Sequence, residues 1–150
     1  MKYTSGMPGR MFVLRFEDGD SIYKCIEDTA VKEQILSAVL WIIGGVKNGG
    51  VVVGPADSLI MPPAPVTRKF TEAHEIVGTG TIFLNEHDAP ILHLHASMGH
   101  GAETITGCPR EGLDCWLVSE VIIMEITGID AKRLKDPHSN FHLLEIINGK

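Results

Sequence analysis

The chain has 150 residues, 44% hydrophobic and 21% charged, which suits one domain with a real core and excludes wholesale disorder. Thirteen basic residues face nineteen acidic ones, a net charge of −6, and no basic cluster is longer than Arg68-Lys69 or Lys132-Arg133. DNA is therefore a conceivable partner that the charge does not support, because DNA affinity leans on phosphate neutralisation.

The opening Met1-Lys2-Tyr3-Thr4-Ser5-Gly6 lacks the apolar core of a signal peptide, and the apolar run over 35–43 is too short to span a bilayer. A cytoplasmic protein with no membrane partner is expected. Cys25, Cys108 and Cys115 make an odd count with no disulfide framework, and a Cys108–Cys115 bridge is the one pairing worth testing.

Along the chain, residues 11–16 read as a strand ended by the turn formers Glu17-Asp18-Gly19-Asp20. Asp20 or Ser21 can cap a helix to about Glu33, with Ile22, Cys25, Ile26, Thr29 and Ala30 on one apolar face. Residues 35–43 favour a buried strand. Asn48-Gly49 then predicts a hairpin turn leading into a strand over 51–53. Pro55, Pro62, Pro63 and Pro65 predict an irregular loop over 55–66, whose Leu59, Ile60 and Met61 suit a neighbouring subunit. Residues 76–84 and 91–98 form the two arms of a hairpin around Asp88-Ala89-Pro90. Gly78 and Gly80 lie on one face of the first arm, where something must approach closely. Further strands are expected over 104–108, 115–118 and 121–126, with a turn at Gly112. A helix or loop over 130–136 and a last strand over 141–147 complete the reading.

His93-Leu94-His95-Ala96-Ser97-Met98-Gly99-His100 carries three of the seven histidines. In a strand, His93 and His95 point to the same face and offer two nitrogen ligands suited to zinc or a similar first-row metal. The rival reading is a polar strand face. With a short turn near Gly101-Ala102, Cys108 falls opposite His95 and supplies a sulfur; a one-residue slip sends it to the other face. His100 is the competing third ligand, and it can also pair with His74. No nucleophile elbow, phosphate loop or dinucleotide fingerprint is present. Glu75, Glu103 and Glu120 are read first as solvated carboxylates, Arg110 and Asp114 as a structural pair across a turn, and Trp41 and Trp116 as core or interface aromatics.

Several segments match in order and spacing those of one family. They are Phe12-Val13-Leu14-Arg15, His74-Glu75-Ile76-Val77-Gly78-Thr79-Gly80-Thr81-Ile82, His93 to Gly99, Thr106-Gly107-Cys108, and the run from Trp116 to Ile126. The chain resembles the PPC domain (plants and prokaryotes conserved) of the stand-alone prokaryotic type. That resemblance implies an α+β fold: a mostly antiparallel sheet with one main helix, assembled as a homotrimer. It also implies one domain with a core over about 11–128 and a C-terminal extension over 129–150. Many prokaryotic members carry the His-x-His strand and a third histidine in a Gly-Gly-His-Leu segment; here Gly107-Cys108-Pro109 stands in that place. The AT-hook core Arg-Gly-Arg-Pro of the plant proteins is absent. Of their partner-binding Gly-Arg-Phe-Glu-Ile-Leu, only Glu75-Ile76 survives.

Two functions follow as expectations. The first is a non-enzymatic, trimeric regulatory or assembly module, DNA-associated through a complex, with a metal site drawn from His93, His95, His100 and Cys108. The second is a small metalloprotein that binds a small molecule or activates water for lyase or hydrolase chemistry.

Overall fold

A computed structural model gives the fold and describes residues 1–147. The order is β1 (Met7–Glu17), α1 (Ile22–Lys32), β2 (Ser37–Pro55), β3 (Pro65–Phe70), β4 (His74–Asn85), β5 (Pro90–His100), β6 (Glu103–Thr127), β7 (Ala131–Lys135) and β8 (His142–Ile146). All pairings are antiparallel except β4 with β7, so the expected α+β class with a mostly antiparallel sheet and a single helix is observed. Residues 148–150, the end of the expected extension, lie outside the described residues.

The sheet closes on itself. β2 pairs with β4 along one side and with β6 along the other, while β5 bridges β4 and β6. Side chains of alternate residues meet inside this ring, and α1 adds Ile22, Ile26 and Ala30 to the same core. From the strands come Leu40, Ile42, Leu94, Met98 and Ile123, all essentially inaccessible to solvent. The helix stops where Gln34 turns left-handed (φ 56°): its N–H reaches the Val31 carbonyl and the Ile35 N–H that of Ala30, the pattern of a Schellman cap. Cys25 packs on the rim of the core, as its place on the apolar face predicts.

Five expectations are corrected. The Asn48-Gly49 signal makes no hairpin: Asn48 is left-handed (φ 55°), but β2 runs straight through it. Nor does Gly112 turn the chain. Both lie inside two long strands, with Gly49 opposite Gly112 and Asn48 Nδ2 donating to Asp114 Oδ2 at 3.1 Å. A continuous ladder of partners for β2 outweighs the local turn preference, and the register holds across Asn48 from Lys47–Asp114 to Gly49–Gly112, so the positive-φ residues face each other within the ladder. Asp114 is thus taken by Asn48, and the expected pairing with Arg110 is not made. The proline-rich segment is shorter than expected, because residues 65–70 form β3 on the edge of β2. Finally, the helix-or-loop over 130–136 is β7, a strand beside β4.

Gly78 and Gly80 do permit close approach, and what approaches is their own sheet. A Cβ on Gly78 would stand 2.8 Å from the Ala96 Cβ and 2.9 Å from the His95 carbonyl, and one on Gly80 would stand 2.8 Å from the His93 carbonyl. Their bareness brings β4 tight against the backbone that carries the two histidines.

Candidate metal centre

On β5, Leu92, Leu94, Ala96 and Met98 are buried in the core, so His93 and His95 must emerge together on the opposite face. They do. Their Nε2 atoms are 3.2 Å apart and the rings stand edge to face at 4.9 Å. Two nitrogens bound tetrahedrally to one ion at zinc–nitrogen lengths are separated by roughly 3.3 Å. The pair is therefore spaced as two ligands of one small ion.

The turn at Gly101-Ala102 has two residues, and Ala96 pairs with Gly107, which makes His95 and Cys108 the next opposed positions. The ligand atoms of His93, His95 and Cys108 all lie within 4.8 Å of one another. In an occupied tetrahedral site nitrogen and sulfur are roughly 3.6 Å apart, a gap that side-chain rotation can close. The donor set of two imidazoles and a thiol fits zinc or a related first-row divalent ion.

His100, the fourth sequence candidate, is elsewhere. It sits five residues further along β5, roughly 16 Å away for an extended strand, and its Nδ1–H donates to the Ala73 carbonyl at 2.7 Å. Its Nε2 lies 3.6 Å from a Glu72 carboxylate oxygen, and its ring packs 5.2 Å from that of His74. The His74–His100 pairing read from the sequence is thus present, while the metal cluster draws in His93, His95 and Cys108 without His100. All three cysteines are free thiols.

Electrostatics keep His93 free of a proton near neutral pH. Burial, aided by the positive charges of Arg133, His95 and Arg110, pushes His93 down to about 4, so its ring is neutral and its lone pair available at neutral pH. Burial raises the Cys108 thiol, and Arg110 and Arg133 pull the other way. In metal-free protein the depressed His93 value carries a stability consequence. An unfolded histidine takes up its proton near 6.5 and the folded His93 only near 4, so the unfolded state binds more protons between those values. Stability then falls as pH drops through that window, by about 1–3 kcal/mol once partial solvent screening is allowed for. Urea unfolding in the presence of a chelator, near pH 7 and near pH 4.5, should show this loss, and His93→Gln should remove it.

Sequence reasoning missed Arg133. It lies on β7, where Asn85 of β4 is its register partner, and its Nη2 donates to Thr81 Oγ1 at 2.7 Å. Thr81 is itself directly opposite His93. No local pattern in Ala131-Lys132-Arg133-Leu134-Lys135 announces this; only the parallel contact between β4 and β7 brings the side chain over. Thr79, Gly80, Thr81, His93 and His95 line an open depression of about 220 Å³. A larger hollow of about 710 Å³, between Val53, Arg68, Lys69 and residues 103–106, holds none of the three clustered ligands.

The profile of the Plants and Prokaryotes Conserved (PCC) domain matches residues 3–127. The chain belongs to this family. The PCC fold recurs in a plant- and prokaryote-conserved protein from Pyrococcus horikoshii, at 22% identity and a TM-score of 0.83 over 99% of each chain. A metal-containing protein from Archaeoglobus fulgidus superposes with a TM-score of 0.82 at 22% identity, over 95% of this chain and 98% of that one. A Ralstonia eutropha protein described as a candidate DNA-binding protein follows at 21% identity and a TM-score of 0.74, over 90% of each. No curated protein sequence matches this PCC domain. Among the described residues, no helix is long and apolar enough to cross a membrane.

Proposed function

We propose that this protein is a self-assembling PCC-domain module that holds a first-row divalent ion, zinc by its donor set, through His93, His95 and Cys108. The observation that carries the reading is the 3.2 Å separation of two imidazole nitrogens with a buried thiol beside them. The metal-containing neighbour from A. fulgidus supports it. Self-assembly, as a homotrimer, is supported by the outer face of the sheet. Val13, Trp41, Ile43, Val77 and Ile122 are exposed there, and Trp41 and Ile43 adjoin Thr79 and Val77 of the strand next to the histidines. The exposed Leu59, Ile60 and Met61 add a second apolar segment for a neighbouring subunit. The C-terminal strands from residue 131 extend this one domain at its edge.

A DNA-associated role rests on the description of neighbours such as the R. eutropha protein. With a net charge of −6, the chain reaches DNA through a partner and not by its own contacts. A second reading, a small metalloprotein that binds a small molecule or activates water, is favoured by the open depression beside the histidines. An ion held by three side chains keeps a coordination position for a ligand.

Metal analysis of protein purified without a histidine tag tests the centre. Near-stoichiometric zinc per chain is expected, with almost none in the His93→Ala/His95→Ala double variant. Equal metal content in both proteins rejects the reading.

A further inference from the structure

Arg133 is 6% exposed, and its Nε has no hydrogen-bond partner. A guanidinium keeps its charge under all ordinary conditions, so it cannot escape burial by losing a proton. Among the described residues its one hydrogen bond runs from Nη2 to Thr81 Oγ1, and the Phe83 ring lies 5.7 Å from its central carbon. Arg110 is close enough for the two positive charges to oppose each other. Among the described residues neither arginine has a carboxylate partner. This is odd in an acidic protein. Nineteen acidic side chains were available, yet two guanidinium groups whose charges oppose each other have no ion-pair partner among the described residues. A buried charge left unpaired is costly, and so are two like charges held together.

Their position explains the arrangement. The charges of both arginines act on His93 and on Cys108, and Thr81, which holds Arg133, lines the depression with His93 and His95. We propose that Arg133 and Arg110 form an oxyanion seat beside the His93-His95-Cys108 cluster, built to hold a small ligand by a carboxylate or phosphate group. The unused Nε–H of Arg133 and the exposed guanidinium of Arg110 supply the charged donors, and Thr81 fixes the orientation of Arg133. The inference deepens the metal reading, and rests on it only for the part in which the ion strengthens the anion's hold.

The test uses isotope-labelled protein, with the backbone amides of Thr81 and His93 followed by NMR as sodium acetate or inorganic phosphate is added. Sodium chloride at matched ionic strength is the control. In metal-free protein at least one of the two anions should produce saturable shifts that chloride does not, and the tighter anion identifies the ligand's head group. Arg110→Gln, a change at an exposed side chain, should weaken that anion at least tenfold. Arg133→Lys, which keeps the charge and removes the fork, should weaken it similarly. Shifts that never saturate with either anion, or equal affinity in wild type and Arg110→Gln, overturn the proposal. Repeating the acetate titration with one equivalent of zinc separates the two readings. Saturable anion shifts in a protein that takes up no zinc keep the oxyanion seat and reject the metal centre. Zinc uptake with no saturable anion shift does the reverse.

Discussion

Zinc affinity in Cys108→Ala should fall by roughly a hundredfold or more, and its dependence on pH should flatten. Structural zinc sites are worth about 10–16 kcal/mol spread over four ligands, so one ligand accounts for about 3–4 kcal/mol, or a factor of roughly 100 to 1,000. The pH effect follows from the two opposite shifts at the site. His93 is held at about 4 and has no proton to release near neutrality, whereas the Cys108 thiol is raised by burial and must lose its proton to bind as thiolate. Wild-type affinity should therefore climb by about tenfold per pH unit from this one proton, and the alanine variant should lose that part of the climb. Competition with a chromophoric chelator near pH 7 and near pH 8 measures both quantities. An unchanged affinity and slope would show that some other side chain completes the cluster.

The second large effect concerns the scaffold. Gly112→Ala should destabilise the fold by about 3–5 kcal/mol, lowering the melting temperature by roughly 10 °C. Two costs coincide at this position. Its φ of +69° is strained for any side chain, and an added Cβ would stand 2.1 Å from the Asn48 carbonyl oxygen, a backbone atom with nowhere to go. Gly101→Ala is the matched control. Its φ is +59°, but nothing lies within 4 Å, so only the conformational cost of about 1 kcal/mol applies. Thermal unfolding of the two variants side by side separates clash from strain. Similar losses in both would mean that the close approach of Gly112 to the Asn48 carbonyl is not the constraint described.

The histidine strand was legible from its alternation alone, because a hydrophobic residue at every second position left His93 and His95 only one face to occupy. Cys108 was legible one step further, through the two residues of the turn that set its register. The same logic failed at Asn48-Gly49. There Asn48 does take a positive φ, but a long-range ladder holds it inside β2 and makes no turn. β3 was hidden by its leading prolines, which an edge strand tolerates. His100 could not be excluded as a ligand from sequence, since only its bond to Ala73 and its packing on His74 show that it belongs to a different neighbourhood. Arg133 left no trace at all. Its placement depends on a parallel contact between segments nearly fifty residues apart and on burial that nothing in an Ala-Lys-Arg-Leu-Lys run foretells.

Because β4 pairs with β5 through both histidine positions and β6 takes the other flank from Ala96 onward, the mouth formed by the two imidazoles behaves as a calliper with a stiff spine. A gap of 3.2 Å closed at the tetrahedral angle admits an ion whose bonds to nitrogen are about 2.0 Å long, the zinc value. Calcium, with bonds of about 2.3–2.6 Å and a taste for oxygen, is too wide for that jaw. In the proposed centre, discrimination by ionic radius would thus come from the pleat of a single strand.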